Sequence, residues 1–154
     1  MGFDGAVKKD GKNPILNYLK NSGADILCLQ EYQTIESSHY LSQKDVEKAL
    51  KDYPYHKIQT VGSGKGHTNR IACYSKYPIL SSRRLDYASE YNGSAVYELK
   101  IGEDTIMLIN NHLESNKLTK EDKVVYESML KSPETKKVKS GARLLIRKLA
   151  AVSY

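Results

Sequence analysis

Residues 25–31 read DILCLQE, the first strongly apolar stretch of the chain. A run of four apolar residues, 26–29, is followed by the polar pair Gln30 and Glu31. A short, continuous apolar run is typical of a strand that is buried on both faces. In α/β proteins, functional sites form where such strands end. The stretch therefore predicts a buried strand that carries the Glu31 carboxylate into a site.

Helical patterns lie on both sides of this strand. The Asn-Pro pair at 13–14 predicts the N-cap and first residue of a helix that ends at Gly23. Ser42 and Asp45 have the spacing of a capping box, so a second helix is predicted to begin there. The predicted strand is thus connected to helices before and after it.

Further along the chain, the patterns predict strands. Residues 94–101 alternate between two faces, and with 105–113 they predict a hairpin that turns at 102–104. The other predicted strands cover residues 55–61 and 69–75. Together with the strand at 25–29, five strands are expected.

Two more helices are predicted to begin at Thr119 and Ser140. The order of elements therefore predicts a mixed α/β fold. No long linker divides the 154 residues, so residues 1–154 are predicted to form a single domain. No apolar run is long enough for a transmembrane helix, and the N-terminus lacks the pattern of a signal peptide.

The net charge of +6 has a marked distribution along the chain. Residues 117–148 hold ten basic and four acidic residues, which accounts for the whole excess. This segment could form a face that attracts nucleic acid or phosphate. A solvated helical surface is the simpler interpretation, and both remain open.

The two cysteines, Cys28 and Cys73, both lie in apolar runs. Such cysteines are typical of buried free thiols in strands. No spacing indicates a metal site or a disulfide framework, so neither is expected.

A second polar group follows the apolar part of the predicted hairpin. Residues 110–112 read Asn-Asn-His. Asn110 and His112 are two residues apart on a strand, so they share a face, and Asn111 points to the other face. An amide and an imidazole on one face can bind a phosphate oxygen or orient a water molecule. Glu31 supplies a hard oxygen ligand suited to Mg²⁺ or Mn²⁺.

Three motifs in this order resemble the endonuclease/exonuclease/phosphatase superfamily. They are LQE at 29–31, IACYSKYPI at 71–79 and NNHL at 110–113. The resemblance extends over roughly residues 13–150. It implies a four-layer α/β/β/α sandwich, with a mixed sheet flanked by helices. It also implies a hydrolase that cleaves phosphate esters with the help of a divalent cation. Members act as nucleases, as phosphodiesterases, or as phosphatases of inositides and sphingolipids.

The resemblance also implies roles for individual residues. Glu31 would bind the metal ion, either Mg²⁺ or Mn²⁺. His112 would hydrogen-bond the scissile phosphate, and Asn110 would support it from the same face. The second motif would place Asn69 or Arg70 near the phosphate, where an arginine could clamp it.

The chain also departs from the family pattern. It lacks the family's first strand with its catalytic Asn, and the later GDxN and SDH motifs do not occur in the 154 residues. The chain is therefore interpreted as an N-terminal portion that is inactive alone and holds its cation weakly. An uncovered sheet face would then favour self-association. The alternative function is a non-catalytic nucleic-acid-binding module that uses residues 117–148, and a domain without any site is a third possibility.

Overall fold

The computed structural model describes residues 6–9, 12–61, 69–86, 89, 92–113, 124 and 127. The chain divides into two compact units, Met1–His112 and Leu113–Tyr154. The helices and strands of the first unit are α1 (Pro14–Asn21), β1 (Ile26–Leu29), α2 (Gln43–Ala49), β2 (Tyr55–Thr60), β3 (Arg70–Ser75), β4 (Ile79–Arg84), β5 (Gly93–Ile101) and β6 (Asp104–His112).

In the second unit, Val124 and Glu127 are helical and exposed. The other residues of the helices predicted from Thr119 and Ser140 lie outside the described residues, as does most of the basic segment 117–148. No helix in the described part of the chain has the length and apolar character needed to cross a membrane.

The strands form two antiparallel sheets of three strands each. The first has the order β1-β3-β2, and the second has the order β4-β5-β6. Every described strand pairing is antiparallel, whereas a mixed sheet was predicted. The mixed α/β class is confirmed. The helix layer expected to complete a sandwich falls on residues that the structure does not describe.

Two apolar clusters hold this unit together. One joins the helices to the first sheet through side chains such as Leu16 of α1, Val46 of α2 and Tyr74 of β3. The other lies between the two sheets and includes Ile71 of β3 and Tyr97 of β5. The unit thus has three layers: helices, the first sheet and the second sheet.

The helix starts predicted from sequence are confirmed in detail. The Asn13 side chain accepts a hydrogen bond from the backbone N–H of Leu16, at the N-terminus of α1. Ser42 and Asp45 make both reciprocal bonds of a capping box at the start of α2. These bonds satisfy backbone donors that a helix cannot pair internally.

The prediction that β1 is buried on both faces is wrong. Leu27 and Leu29 are buried, but Cys28 is exposed. The reason is that β1 is an edge strand of its described sheet, so one of its faces is only partly covered. The expectation of two buried thiols therefore holds for Cys73 alone.

Strand β4 was not predicted. Its sequence, ILSSRR, has apolar residues only at Ile79 and Leu80, so it shows no alternating pattern. It pairs with β5, which supplies most of the buried side chains of the second sheet. Strand β4 therefore forms because it pairs with β5, and its own apolar residues contribute little.

Candidate functional site

Glu31 follows β1 in a backbone conformation that is rare for its residue type. Its φ is +49°, in the left-handed region. For a residue with a Cβ this conformation costs on the order of 1 kcal/mol. The neighbouring Tyr32 backbone N–H donates to the carbonyl of Arg70 at 2.7 Å and fixes the chain to β3. The turn leaves the Glu31 side chain 53% exposed.

His112 reaches the same place from the second sheet. It is the last residue of β6, where it pairs with Gly93 of β5. Its Nε2 lies 3.5 Å from Glu31 Oε1, and its side chain is 19% exposed. Its Nδ1 is buried and has no hydrogen-bond partner in the described part of the chain. The structure therefore brings together the carboxylate and the imidazole of two distant motifs.

The approach of the two sheets here depends on Gly93. A Cβ at this position would lie 2.5 Å from the Cβ of Val61 and 2.9 Å from its carbonyl oxygen. A side chain would push the second sheet away from the first at the strand pair that positions His112. Glycine is thus required by the close approach of backbone and side chain.

Asn110, two residues before His112 on β6, is buried and connects the two sheets. Its side chain is 2% exposed. Its Oδ1 accepts a hydrogen bond from Gln30 Nε2 at 3.2 Å, and its Nδ2 donates to the carbonyl of Ala72 at 3.2 Å. These bonds fix the orientation of the amide, since its donor and acceptor ends have different partners.

Arg70 and Asn69 lie where β3 begins. The Arg70 guanidinium donates from Nη2 to Thr34 Oγ1 at 3.3 Å and lies 5.6 Å from the centre of the Tyr32 ring. Its side chain is thus held against the segment that follows Glu31. The Asn69 carbonyl accepts from the Val61 N–H at 2.9 Å. Contact of Arg70 or Asn69 with a phosphate stays a prediction.

A buried hydroxyl cluster anchors the segment after Glu31. The Tyr32 hydroxyl donates to Gln43 Oε1 at 2.7 Å and lies 2.9 Å from the Tyr74 hydroxyl. Burial raises the pKa of Tyr32 well above its ordinary value, and the hydrogen bond with Tyr74 raises it further. The hydroxyls stay neutral at ordinary pH and attach this segment to α2.

Sequence reasoning named Gln30 only as part of a polar pair and assigned it no role. The structure places it in the site because its amide holds Asn110. A polar residue directly before the functional Glu, at the end of an apolar strand, was the available signal. Its partner could not be read from the sequence because Asn110 is 80 residues away.

The described residues contain no cluster of three or more His, Cys, Asp or Glu side chains that could hold a metal ion. Glu31 supplies a carboxylate to the site, and this carboxylate is accessible to solvent. Mg²⁺ commonly binds proteins through one or two carboxylates and keeps several waters. The donors present therefore fit a hydrated cation with one protein carboxylate and do not fit a closed, fully liganded site.

A second His–Glu pair elsewhere in the unit provides a comparison. His56 Nε2 lies 3.6 Å from Glu47 Oε1, and the His56 ring stacks on Tyr74 at 5.0 Å. This pair joins β2 to α2, and the Gln43 amide donates to the same Glu47 oxygen at 2.9 Å. Charge and distance alone therefore do not distinguish the Glu31–His112 pair.

The fold and this site define an α/β protein with a polar site where strands of two packed sheets end. Residues 5–127 match the model of the Endonuclease/Exonuclease/phosphatase family. The chain belongs to this family, which is one of phosphoesterases and nucleases whose members generally use divalent metals.

Solved structures that match the chain include TDP2 from Caenorhabditis elegans, at 24% identity and a TM-score of 0.45. That alignment covers 77% of this chain and 37% of the TDP2 chain. A truncated TDP2 from the same organism gives the same identity and TM-score, with 49% of its chain covered. The chain thus spans less than half the length of these proteins. No curated protein matches it.

Proposed function

We propose that this chain is part of a divalent-metal-dependent phosphoester hydrolase. In this proposal Glu31 binds the cation, which would neutralise charge on the phosphate and act as a Lewis acid. His112 contacts the phosphate, and Asn110 supports it from the same face of β6. The observation that carries the proposal is the 3.5 Å approach of His112 Nε2 to Glu31 Oε1 across two sheets.

The hydrogen-bonding groups of His112 support a role in phosphate binding. Its ring is largely shielded, and Nδ1 has no partner in the described residues. Because Nδ1 is buried, Nε2 is the ring nitrogen that is placed to contact a ligand. Nε2 faces the Glu31 carboxylate and is available to donate to a phosphate oxygen.

Asn110 acts mainly as a positioning residue in this proposal. Both ends of its amide are engaged, with Gln30 and with the Ala72 carbonyl. A second lone pair on Oδ1 and a second proton on Nδ2 leave capacity for another partner. The rigid amide holds β6 of the second sheet against β3 of the first sheet. It thereby fixes the position of His112, which lies two residues further on.

Catalysis requires groups beyond those described. The family resemblance implies GDxN and SDH motifs that would orient water and act as general base, and the 154 residues contain neither motif. We therefore propose that this chain alone binds the cation weakly and does not turn over a phosphoester. The substrate class (nucleic acid, or a phosphorylated lipid or inositol) depends on parts of the protein beyond this site.

Cation binding by Glu31 is tested by titrating the chain with Mn²⁺ and following the electron paramagnetic resonance signal of the free ion. We expect weak binding of Mn²⁺, with a Kd well above the micromolar range. The Glu31→Gln substitution should remove this binding. Glu47→Gln is the matched control because it neutralises the carboxylate of the second His–Glu pair. Equal loss in both variants, or unchanged binding in Glu31→Gln, would contradict the assignment.

Hydrolysis of a model phosphodiester in Mg²⁺ tests the catalytic part of the proposal. Neither the chain nor its Glu31→Gln variant should release product faster than a solution that contains Mg²⁺ and no protein. Metal-dependent turnover that Glu31→Gln leaves unchanged would rule out Glu31 as the metal-binding residue.

Two further proposals concern partners. Edge strand β6 exposes Met107 and Ile109, which are 65% and 50% exposed, and we propose that this surface supports pairing with a second copy of the chain.

Nucleic-acid binding through residues 117–148 is the alternative function. It would appear as binding that weakens steeply with salt and is insensitive to Glu31→Gln.

A further inference from the structure

Cys28 and Cys73 lie directly opposite each other on neighbouring strands. The antiparallel register of β1 and β3 pairs Cys28 with Cys73. Both thiols are free in the structure. Forty-four residues separate the two cysteines in the sequence, so their proximity follows from the register and not from local spacing.

The backbone hydrogen bonds show which type of pair this is. The Lys76 N–H donates to the Asp25 carbonyl at 3.0 Å, so these two facing residues form a hydrogen-bonded pair. In antiparallel sheets, hydrogen-bonded and non-hydrogen-bonded pairs alternate along the strands. Counting three pairs along from Asp25 makes Cys28 and Cys73 a non-hydrogen-bonded pair.

The other edge of β3 supports the same conclusion. The Val61 N–H donates to the Asn69 carbonyl at 2.9 Å, so the alternation makes Cys73 a hydrogen-bonded partner of Lys57 on β2. Its backbone groups are therefore directed away from β1. In a non-hydrogen-bonded pair the two Cα atoms are about 4.5 Å apart and the side chains are close. That separation lies within the range that a disulfide can span, about 4.4–6.8 Å.

The two thiols have different environments. Cys28 is exposed, whereas Cys73 is fully buried in the core between the sheets. A hydrogen bond from the Cys73 thiol lowers the pKa of Cys28 below its ordinary value, and the same contact raises the pKa of Cys73. An accessible thiol that is deprotonated more readily reacts first with oxidants. The buried thiol beside it is placed to react second.

We propose that Cys28 and Cys73 are a peroxide-sensitive thiol pair that closes to a reversible intramolecular disulfide. The Cys28 thiolate attacks hydrogen peroxide, which breaks the O–O bond and gives a sulfenic acid and, with one proton, water. The Cys73 sulfur then attacks the Cys28 sulfur. The S–O bond breaks, a second water leaves with the Cys73 proton, and the S–S bond forms. Two thiols are oxidised, and one peroxide is reduced to two waters.

Closure at this place would cross-link β1 to β3 three residues before Glu31. Cys28 is exposed, and exposed disulfides are among the more readily reduced ones. The pair therefore has the properties of a reversible modification rather than of a permanent structural bond. This inference does not depend on the proposed hydrolase function.

Peroxide treatment of the whole chain, followed by peptide mapping without reduction, tests the proposal. The intact mass should fall by about two hydrogens, both thiols should be lost, and one cross-linked species should join the peptides containing Cys28 and Cys73. Dithiothreitol should restore both thiols. Dimers linked through Cys28, irreversible sulfinic acid at Cys28, or unreacted thiols after excess peroxide would each overturn it.

Two single variants separate the roles of the thiols. Cys73→Ser should leave a sulfenic acid on Cys28 that dimedone labels, with at least several-fold more labelling than in the wild type. Cys28→Ser should leave Cys73 unmodified by peroxide while the chain stays folded. If Cys73 reacts as fast without Cys28, the proposed order of steps is wrong. The wild-type peptide map remains decisive if either variant fails to fold.

Discussion

At the residue scale, Glu31 combines an exposed carboxylate with a left-handed backbone. Backbone conformations of this kind persist only where the surrounding structure imposes them, and they often occur at functional sites. Here the Tyr32–Arg70 backbone bond and the Tyr32 hydroxyl contacts impose it. The conformation directs the carboxylate toward His112 rather than along the sheet, at some cost in stability.

This cost predicts a gain in stability when Glu31 is replaced by glycine. Glu31→Gly should be more stable than Glu31→Gln by about 1 kcal/mol, because only glycine adopts a φ of +49° without strain. Urea unfolding of the two variants measures the difference, and both lack the carboxylate. A Glu31→Gly variant less stable than Glu31→Gln would show that the turn is not strained.

The sequence alone predicted much at this scale but not the geometry. LQE and NNHL directed attention to Glu31, Asn110 and His112, because polar groups after apolar runs are unusual. Gln30 and the Gly93–Val61 approach could not be predicted, since both depend on contacts between elements far apart in sequence.

At the scale of elements, the capping box of α2 makes stability depend on acid pH. Backbone and side-chain hydrogen bonds from Ser42 and the ammonium group of Lys8 hold the pKa of Asp45 below its ordinary value of 3.8. A carboxyl group whose pKa is lower in the folded state stabilises the fold above its unfolded pKa. That stabilisation is lost as the pH falls through the lower, folded value.

Asp45→Asn should therefore destabilise the chain by about 0.5–1 kcal/mol near neutral pH. The difference from the wild type should begin to shrink as the pH falls below about 3.8, where the carboxyl group of the unfolded chain becomes protonated, and it should be smallest below the lower pKa of the folded state. Unfolding midpoints measured from pH 7 down to pH 2.5 test this (about the range in which carboxyl groups titrate). A difference that stays constant across that range would mean that the charge of Asp45 contributes nothing.

The Gln30–Asn110 bond gives a second prediction at this scale. In a double-mutant cycle, Gln30→Ala and Asn110→Ala should be coupled by about 0.5–1.5 kcal/mol of unfolding free energy. Asn110→Ala alone should cost about 1–3 kcal/mol, because it also leaves the Ala72 carbonyl without this donor.

A cycle on Gln59 and Ser82 is the control. Their bond at 3.0 Å also joins the two sheets, but neither residue is fully buried. The coupling there should be smaller. If the two couplings were equal, the Gln30–Asn110 bond would have no special role in joining the sheets at the site.

Helix starts were predictable because capping is a local interaction between residues three positions apart. The hairpin of β5 and β6 was predictable because a glycine-containing turn separates two strand patterns, and Gly102 adopts a positive φ in that turn. The alternation predicted along β5 is not seen in its burial, because residues 93–97 are all buried. Strand β4 and the exposed face of β1 were not predictable, because both are consequences of sheet order.

At the scale of the whole molecule, exposed apolar side chains lie along the edge strand β6. Met107 and Ile109 both face away from the core between the sheets. We expect sedimentation velocity to show self-association that rises with concentration and that Met107→Lys weakens several-fold. Tyr18→Lys on α1 is the control, since it adds the same charge at an exposed apolar side chain that lies outside this sheet. A concentration-independent monomer would contradict the proposed pairing.

The proposed site for a divalent cation is Glu31, beside His112. Histidine ring signals in a proton NMR spectrum test it most directly, because Mn²⁺ broadens signals of nearby nuclei. Substoichiometric Mn²⁺ should broaden the His112 ring signals and leave those of His56 sharp, although His56 lies 3.6 Å from Glu47. Broadening of the His56 signals first, or of neither ring, would contradict the claim.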